Sequence, residues 1–312
     1  MRAFVFPGQG SQVLGMGKDL SDASPIAKAV FDEVDEALGA SLSSIMWGED
    51  QDALTLTQNA QPALMAVSVA TARVLESEGR FALSDKGSFV AGHSLGEYSA
   101  LTAAGALPLS DAARLLRLRG ESMQAAVPVG VGAMAALLGL DLDAAREVAE
   151  AAAQGEVCEA ANDNAPGQVV ISGNKAAVER ACDLAKEKGA KRAMLLPVSA
   201  PFHCALMAPA AEKMAEALAD TQIDVPSLPL VANVKAEAVS DPAVIRDLLV
   251  QQVTGSVRWR ESVQWMASQG VDQLVELGSG KVLSGLAKRI DRSVTAANAG
   301  THVEISTLIE TL

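Results

Sequence analysis

Short apolar runs alternate with stretches of helical hydrophobic spacing along almost the whole chain. The opening apolar run, AFVFPG, predicts a first strand that Pro7 and Gly8 cut short. A helical pattern over residues 61–75 has Pro62 close to its start, where a helix tolerates proline. Regular alternation of this kind is typical of an α/β protein, in which helices pack on a buried sheet.

Residues 132–199 have a different pattern. We predict four strands and two helices there, in the segments GAMAALLGL (strand), DAAREVAEAAA (helix), VCEAAN and QVVISG (two strands joined by the turn DNAPG), KAAVERACDLAKEKG (helix, with Gly189 at the C′ position) and RAMLLPVS (strand). The resulting β-α-β-β-α-β order is that of a ferredoxin-like unit. We therefore predict a small ferredoxin-like domain, residues 129–198, inserted into a larger α/β domain formed by residues 1–128 and 199–312.

Composition narrows the class of protein. Of the 312 residues, 49% are hydrophobic and 20% are charged, which is the composition of a folded globular protein. The formal net charge of −13 argues against a broad affinity for nucleic acid. Apolar runs fall well short of the roughly 20 residues that a membrane span needs, and the apolar N-terminal segment is too short for a secretory signal. We expect neither nucleic acid nor a membrane as a partner.

The three cysteines are Cys158, Cys182 and Cys204, an odd number without the spacing of a metal site. They predict reduced thiols in a cytoplasmic protein, with no bound metal. Cys204 directly follows His203 and is therefore a candidate nucleophile. We disfavour it because neighbours in the chain rarely face each other.

The segment FVAGHSLGEYSALTAAGAL, residues 89–107, predicts a strand, a tight turn and a helix. Ser94 lies in the turn between Gly92 and Gly96 and matches the nucleophile elbow. The sharp turn leaves no room for flanking side chains, and the free N–H groups at the start of the helix favour developing negative charge. The alternative is a glycine-rich turn with an incidental serine. The strand before it and the helix after it favour the elbow.

A serine nucleophile needs a base at neutral pH. The chain has three histidines, His93, His203 and His302. His93 adjoins the serine, His203 lies in PVSAPFHCALM after the small domain, and His302 lies in NAGTHVEIS near the C-terminus. The residue order of ordinary α/β-hydrolases favours His302. Composition and spacing leave His203 and His302 as alternatives.

Two glycine loops and an arginine cluster give weaker signals. FPGQGSQ is followed by Val13 where a dinucleotide fingerprint needs a third glycine, and ELGSGKVLSGL lacks the Ser or Thr that a phosphate loop needs after Lys281. We interpret the first as a turn that brings a backbone N–H close to a ligand and the second as a strand-to-helix turn. In RLLRLRGESMQ, Arg114, Arg117 and Arg119 predict a solvated basic helix face.

Taken together, the motifs resemble those of the malonyl-CoA:acyl carrier protein transacylases of fatty acid synthesis. The resemblance covers essentially the whole chain and rests on FPGQGSQ, GHSLGEYSAL, RLRGESMQ, NDNAPGQVVISG, PVSAPFHCALM and ELGSGKVL, in that order. It implies an α/β-hydrolase-like domain with a ferredoxin-like insertion, in agreement with the fold predicted above. It also implies malonyl transfer from coenzyme A to the phosphopantetheine thiol of acyl carrier protein, for fatty acid or polyketide synthesis. Both thiol carriers are substrates, no bound cofactor is implied, and the expected state is a monomer.

The resemblance implies roles for individual residues. Ser94 matches the nucleophile and His203 matches its base. A backbone carbonyl around Gln252, in place of an acidic side chain, is expected to hold the histidine. The backbone N–H groups of Gln9 and Leu95 match the oxyanion hole, and Leu95 follows the nucleophile as the elbow requires.

Further side chains match the substrate pocket of the family. Arg119 matches the arginine that holds the free carboxylate of malonyl, which a planar guanidinium can take through two parallel hydrogen bonds. Phe202 matches a phenylalanine that limits the room for an α-methyl group. We also expect His93 to line this pocket.

Docking of the carrier protein needs a local basic patch, because acyl carrier proteins are typically acidic and so is this chain. Two candidate patches are Lys281, Lys288 and Arg289, and Lys188, Lys191 and Arg192. Two other function classes stay open at this point. One is a serine hydrolase or thioesterase that uses Ser94 and His302, and the other is a non-catalytic acyl-CoA binder.

Overall fold

The computed structural model describes all residues from 1 to 312 and contains ten strands, fifteen α-helices and a short 3₁₀-helix (Ala205–Met207). The strands are β1 (Arg2–Phe6), β2 (Phe89–Gly92), β3 (Gly132–Leu138), β4 (Cys158–Ala165), β5 (Gln168–Asn174), β6 (Arg192–Leu195), β7 (Leu230–Ala232), β8 (Glu237–Val239), β9 (Gln273–Leu277) and β10 (Thr295–Ala299). They form two sheets, so the chain is an α/β protein.

The helices lie before, between and after these strands. They are α1 (Lys18–Ala23), α2 (Pro25–Leu38), α3 (Leu42–Met46), α4 (Gln51–Thr55), α5 (Thr57–Gly79), α6 (Leu83–Lys86), α7 (Gly96–Ala103), α8 (Leu109–Ala126), α9 (Leu142–Ala153), α10 (Lys175–Glu187), α11 (Ala208–Ala219), α12 (Pro242–Thr254), α13 (Trp259–Ser268), α14 (Val282–Ile290) and α15 (His302–Ile309). None of them combines the length and the hydropathy that a membrane crossing requires.

The larger sheet has six strands in the order β10-β9-β1-β2-β7-β8, all parallel except for the edge strand β8. Its central strand shows why both faces are covered. Phe4 and Phe6 of β1 belong to a core of 57 buried residues on one face, whereas Ala3 and Val5 belong to a core of 16 buried residues on the other. Alternate residues of a strand point to opposite faces. A strand buried on both sides therefore reads as the unbroken apolar run seen in the sequence.

The smaller sheet is antiparallel, with the strand order β4-β5-β3-β6. Its elements follow the predicted order along the chain, and a third core of 15 buried residues lies between this sheet and helices α9 and α10. Gly189 has a φ of 91° one residue beyond the C-cap of α10, which confirms its predicted position.

The predicted turn at residues 163–167 was too long. Strand β4 runs on to Ala165 and leaves only Pro166 and Gly167 in the turn. Asp163 is 1% exposed and pairs with Arg260 at 2.8 Å, so this acidic residue is satisfied inside a strand. Its backbone N–H also donates to the carbonyl of Val257, which ties the smaller sheet to the chain just before α13.

The prediction that Pro62 lies in the first turn of its helix was wrong. Helix α5 begins at Thr57, so Pro62 is interior and removes the N–H that the carbonyl of Gln58 would otherwise accept. Tertiary packing holds the helix at this point. A Cβ at Gly120 of α8 would lie 2.5 Å from the Cα of Gln58, so the two helices are in backbone contact there.

This contact generates a stability prediction. We expect Gly120→Ala to lower the free energy of unfolding by about 1–3 kcal/mol, because the added methyl group must push α5 and α8 apart. Urea unfolding followed by circular dichroism measures the change. The matched control is Gly285→Ala in α14, where a Cβ meets nothing within 4 Å. That variant should be stabilised by about 0.5–1 kcal/mol. Equal effects of the two substitutions would contradict the close packing of α5 on α8.

Candidate active site

Ser94 lies at the tip of the turn between β2 and α7, as the sequence predicts. Its φ of 53° is in the left-handed region, which is uncommon for a serine. A Cβ at Gly92 would lie 1.9 Å from the carbonyl carbon of Gly96, and a Cβ at Gly96 would lie 2.3 Å from the carbonyl oxygen of Phe6. Both glycines are therefore required by the turn that presents the serine, and the predicted strand, tight turn and helix are present.

His203 is brought to Ser94 from 109 residues away. Its Nε2 lies 2.8 Å from Ser94 Oγ, and its Nδ1 lies 2.8 Å from the carbonyl oxygen of Gln252 and 3.1 Å from that of Gly255. Two carbonyl acceptors place the ring proton on Nδ1, which leaves Nε2 free to accept the serine proton. Burial, and then the guanidinium of Arg119, lower the pKa of His203 to about 3, so the ring is neutral.

The two competing assignments lie outside this arrangement. His302 begins α15, and its Nε2 pairs with Glu78 Oε1 at 3.0 Å, so the hydrolase order that favours His302 was misleading. Cys204 Sγ donates to the carbonyl of Pro201 at 3.2 Å, and burial raises the pKa of its thiol to about 11. A protonated, buried thiol is a poor nucleophile. All three cysteines are free and buried.

Arg119 is 1% exposed, so the predicted solvated face was wrong for this arginine. Its Nη1 donates to Gln61 Oε1 at 2.7 Å, and its Nη2 donates to Gln252 Oε1 at 2.9 Å and to Ser94 Oγ at 3.1 Å. Its buried Nε has no partner. A guanidinium one hydrogen bond away from the serine oxygen is well placed to hold an anionic group of a molecule that reaches Ser94.

Arginine spacing alone could not separate Arg119 from its two neighbours. Arg114 is exposed and pairs with Asp111 at 2.6 Å, and the half-buried Arg117 donates to Asn59 at 2.8 Å. The useful signal was Gly120, because the close approach that this glycine allows draws the adjoining part of α8 into the core.

A buried polar network under Ser94 was not predicted. Asn233 Oδ1 accepts from the Ser94 N–H at 2.8 Å, and Asn233 Nδ2 donates to the Gly92 carbonyl at 2.7 Å. The side chain of Gln252 donates to the Ser94 carbonyl at 2.9 Å and to Glu97. Burial raises the pKa of Glu97 to about 8, although its N–H donors oppose the shift. Together these groups fix the backbone on both sides of the nucleophile.

Two features of the sequence could have indicated this network. Glu97 is an acidic residue inside an otherwise small and apolar helix pattern, which suggests a buried polar partner. Asn233 directly follows β7, and Ser94 lies just beyond β2, its neighbour in the sheet. The carboxyl ends of adjacent parallel strands converge, so residues that follow them meet.

Ser94 opens into a cavity of about 400 Å³. Five of the predicted residues line it with Ser94 and His203, namely Gln9, His93, Leu95, Arg119 and Phe202. The N–H groups of Gln9 and Leu95 donate to no acceptor in the chain, so both are available to a bound oxyanion. His93 is held by Asn164, 2.9 Å from its Nε2, and Phe202 is 8% exposed. The structure therefore brings all the predicted site residues together. It contains no cluster of three His, Cys, Asp or Glu residues arranged to hold a metal ion.

A hydroxyl, a neutral imidazole and two free backbone donors surround one position, an arrangement that suits acyl transfer. Residues 3–303 match the family model of the acyl transferase domain. The chain belongs to this family.

Curated relatives make the comparison more specific. The chain is 48% identical over 311 residues to the malonyl CoA-acyl carrier protein transacylase of Bacillus subtilis, covering 99% of this chain and 96% of that protein. It is 49% identical over 295 residues to the protein of the same name from Escherichia coli, covering 95% and 94%.

Solved structures agree. An acyl-carrier-protein-S-malonyltransferase from Bartonella henselae superimposes with a TM-score of 0.97 at 56% identity, over 99% of this chain and 98% of that one. A malonyl-transacylase in complex with a type II PKS acyl-carrier protein superimposes with a TM-score of 0.96 at 45% identity, over 100% and 99%.

The lowered pKa of His203 predicts a pH effect on stability. A histidine that is protonated below about pH 6.5 in the unfolded chain but stays neutral when folded destabilises the protein as the pH falls towards 3. Between pH 7 and pH 5 this single group should remove about 2 kcal/mol of the free energy of unfolding.

His203→Asn keeps a donor near Nδ1 but cannot be protonated, so it should lose less stability over this range than the wild type. Urea unfolding of both proteins at pH 7 and pH 5 gives the difference. An identical loss in the two proteins would show that His203 titrates normally.

Proposed function

We propose that Ser94 and His203 transfer a malonyl group from coenzyme A to the phosphopantetheine thiol of acyl carrier protein in two steps, through an O-malonyl serine. The observation that carries the proposal is the Ser94 hydroxyl, which contacts both His203 Nε2 at 2.8 Å and the buried Arg119 at 3.1 Å. The serine oxygen thus lies next to a base that can take its proton and next to a cation that can bind a carboxylate of the substrate. The relatives named above, some 48–49% identical, carry the name of this activity.

In the first step, His203 Nε2 takes the proton of Ser94 while Oγ attacks the thioester carbonyl. The carbonyl oxygen becomes an oxyanion between the N–H groups of Gln9 and Leu95, which are free and already in place. The carbon–sulfur bond then breaks, and the sulfur of coenzyme A takes the proton from His203. The Gln252 carbonyl stabilises the imidazolium through Nδ1–H, though less than a carboxylate would.

Arg119 binds the free carboxylate of the malonyl group in this scheme. Its Nη2 exchanges the contact with Ser94 Oγ for a charge-assisted bond to the substrate. The positive charge of Arg119 contributes to the low pKa of His203, so a carboxylate that compensates this charge also makes His203 a stronger base. An acetyl donor would leave the buried guanidinium unpaired, which disfavours it.

In the second step, the thiol of the carrier protein attacks the O-malonyl serine, and His203 carries the proton back to Ser94. The cavity walls must exclude water, since water would release free malonate. Phe202 and His93 line the cavity and are proposed to limit the space next to the malonyl methylene.

We infer a division of the chain into two domains, and the two sheets support it. We assign the catalytic part to an α/β-hydrolase-like domain of residues 1–128 and 199–312, and the inserted part to a ferredoxin-like domain of residues 129–198. The separate core of the smaller sheet supports this division. The enzyme is proposed to act as a monomer.

The carrier protein is proposed to dock on the patch of Lys281, Lys288 and Arg289. These residues lie at and after the turn that follows β9, and Ser279 of this turn donates to the Ser11 carbonyl in the loop that carries Gln9. Lys281 is therefore next to the catalytic loop, whereas Lys288 and Arg289 lie in the last turn of α14, where Arg289 donates to Gln168 of the smaller sheet at 2.8 Å. The other candidate patch is weaker, because Lys188 is already paired with Glu147 at 3.0 Å.

The roles are tested by transfer of labelled malonyl from coenzyme A to holo-acyl carrier protein, with acetyl-CoA as a parallel donor. His203→Ala should lower the transfer rate by about 10²–10⁴-fold, and Arg119→Ala should lose malonyl but not acetyl transfer. The matched control is His302→Ala, which should transfer at the wild-type rate. Release of free malonate without transfer, or loss of activity in His302→Ala, would make the protein a hydrolase.

The docking patch has its own test. Lys288→Glu together with Arg289→Glu should raise KM for the carrier protein and leave KM for malonyl-CoA unchanged, because the patch contacts only the protein substrate. A control with the same change in net charge combines Lys28→Glu and Lys213→Glu. Both lysines are exposed, and each is paired with an acidic residue on its own helix. An equal rise of KM in the control would reduce the effect to overall charge and exclude this patch.

A further inference from the structure

The loop that carries Gln9 is fixed on both sides of this residue but hardly at the residue itself. A Cβ at Gly8 would lie 2.7 Å from the carbonyl oxygen of His93, so the chain is in tight contact there. The Ser11 carbonyl accepts from Ser279 Oγ at 2.8 Å. Between them, Gln9 makes a single hydrogen bond within the chain, in which its side-chain Oε1 accepts from Thr57 Oγ1 at 2.9 Å.

Thr57 is the first residue of α5 and is 1% exposed. Its hydroxyl donates to Gln9 and accepts from Gln61 Nε2 at 3.0 Å. Gln61, also 1% exposed, accepts from Arg119 Nη1 through its Oε1 at 2.7 Å. A buried relay of three hydrogen bonds therefore joins Arg119, Gln61, Thr57 and Gln9.

The direction of every bond in this relay follows from the guanidinium. Arginine has donors only, so Gln61 must turn its oxygen towards Arg119 and its NH₂ towards Thr57. The Thr57 hydroxyl, having accepted from Gln61, has its one proton left for Gln9. On the Gln9 side chain, only the amide oxygen can accept this proton. The guanidinium of Arg119 therefore sets the orientation of the Gln9 side chain, which lies three hydrogen bonds away.

We propose that Thr57 is a positioning residue of the oxyanion hole, which holds the Gln9 N–H in place through this relay from Arg119. The inference rests on the proposed function, because it assumes that the Gln9 N–H stabilises an oxyanion. Without the Thr57 hydroxyl, Gln9 has no hydrogen bond to the rest of the chain. Its N–H then spends less time aimed at the oxyanion, and part of the preorganised stabilisation is lost.

The oxyanion forms whether or not the acyl group has a free carboxylate. A defect at Thr57 should therefore slow acylation by malonyl-CoA and by acetyl-CoA by the same factor. A defect in carboxylate binding slows the malonyl reaction alone. This difference separates a role in positioning the oxyanion hole from a role in holding Arg119.

The experiment measures single-turnover acylation of Ser94 by each donor, using quenched samples and intact-protein mass spectrometry. Thr57→Val should lower the maximal acylation rate about 10- to 100-fold for both donors, less than the 10²–10³-fold expected for loss of an oxyanion donor. The malonyl-CoA concentration at half-maximal rate should be unchanged. Thr57→Ser keeps the hydroxyl and should restore the rate to near the wild-type value.

The matched control is Thr71→Val in the same helix. Thr71 is 0% exposed, and its hydroxyl donates to the Val67 carbonyl at 2.8 Å, inside α5. This substitution removes a buried hydroxyl without touching the relay and should leave both acylation rates unchanged.

A double-mutant cycle tests the link itself. Gln9→Met keeps the backbone N–H and removes the side-chain acceptor, so it should reproduce the loss seen in Thr57→Val. The double variant should be no slower than either single variant, because both remove one interaction. If Thr57→Val does not fold, the Gln9→Met variant alone still tests whether this hydrogen bond is needed for the full acylation rate.

Four outcomes overturn the inference. They are a wild-type rate in Thr57→Val, a loss confined to malonyl-CoA, no recovery in Thr57→Ser, and additive losses in the double variant. If the wild type forms no acyl adduct on Ser94, the proposed function fails, and the inference fails with it. If the adduct forms normally and only the Thr57 results disagree, the proposed function stands and the relay alone is rejected.

Discussion

The burial of one guanidinium organises the site. Arg119 is 1% exposed, and its acceptors are the amides of Gln61 and Gln252 and the hydroxyl of Ser94, all of them neutral. Burying a charge costs several kcal/mol unless it is well compensated. Here the carboxyl group of Glu97 is linked to the guanidinium through the side chain of Gln252. The cavity therefore contains a cation whose acceptors in the chain are all neutral, and the proposed binding of a malonyl carboxylate by Arg119 rests on this charge.

The parallel sheet supplies the geometry around that charge. Adjacent strands β1, β2 and β7 end at the same edge, and the residues beyond them are Gln9, Ser94 and Asn233. Met134 and Asn162 of the smaller sheet also line the cavity. It is tied to the rest of the chain by the pair of Asp163 and Arg260, 2.8 Å apart. Because each site residue comes from a rigid element end or is bonded to one, the donors need little rearrangement during the reaction.

The sequence predicted what depends on local sterics and failed where distant packing decides. Gly92 and Gly96 identify the elbow because the turn itself excludes side chains. The spacing of the histidines could not select His203, since its contact with Ser94 spans 109 residues and depends on the whole fold. The helix pattern could not show that Arg119 is buried, because the neighbouring Gly120 contacts a helix about 60 residues earlier. The resemblance to a known family favoured His203 over His302 and gave Arg119 a role in the site, choices that local sequence patterns left open.

The most direct test of the central claim is mass spectrometry of the enzyme mixed with malonyl-CoA in the absence of carrier protein. The two-step scheme predicts a stoichiometric malonyl adduct on the peptide that contains Ser94, and the adduct should disappear when holo-acyl carrier protein is added. An adduct on another residue would contradict the account. The same holds if no adduct forms while transfer proceeds at the normal rate.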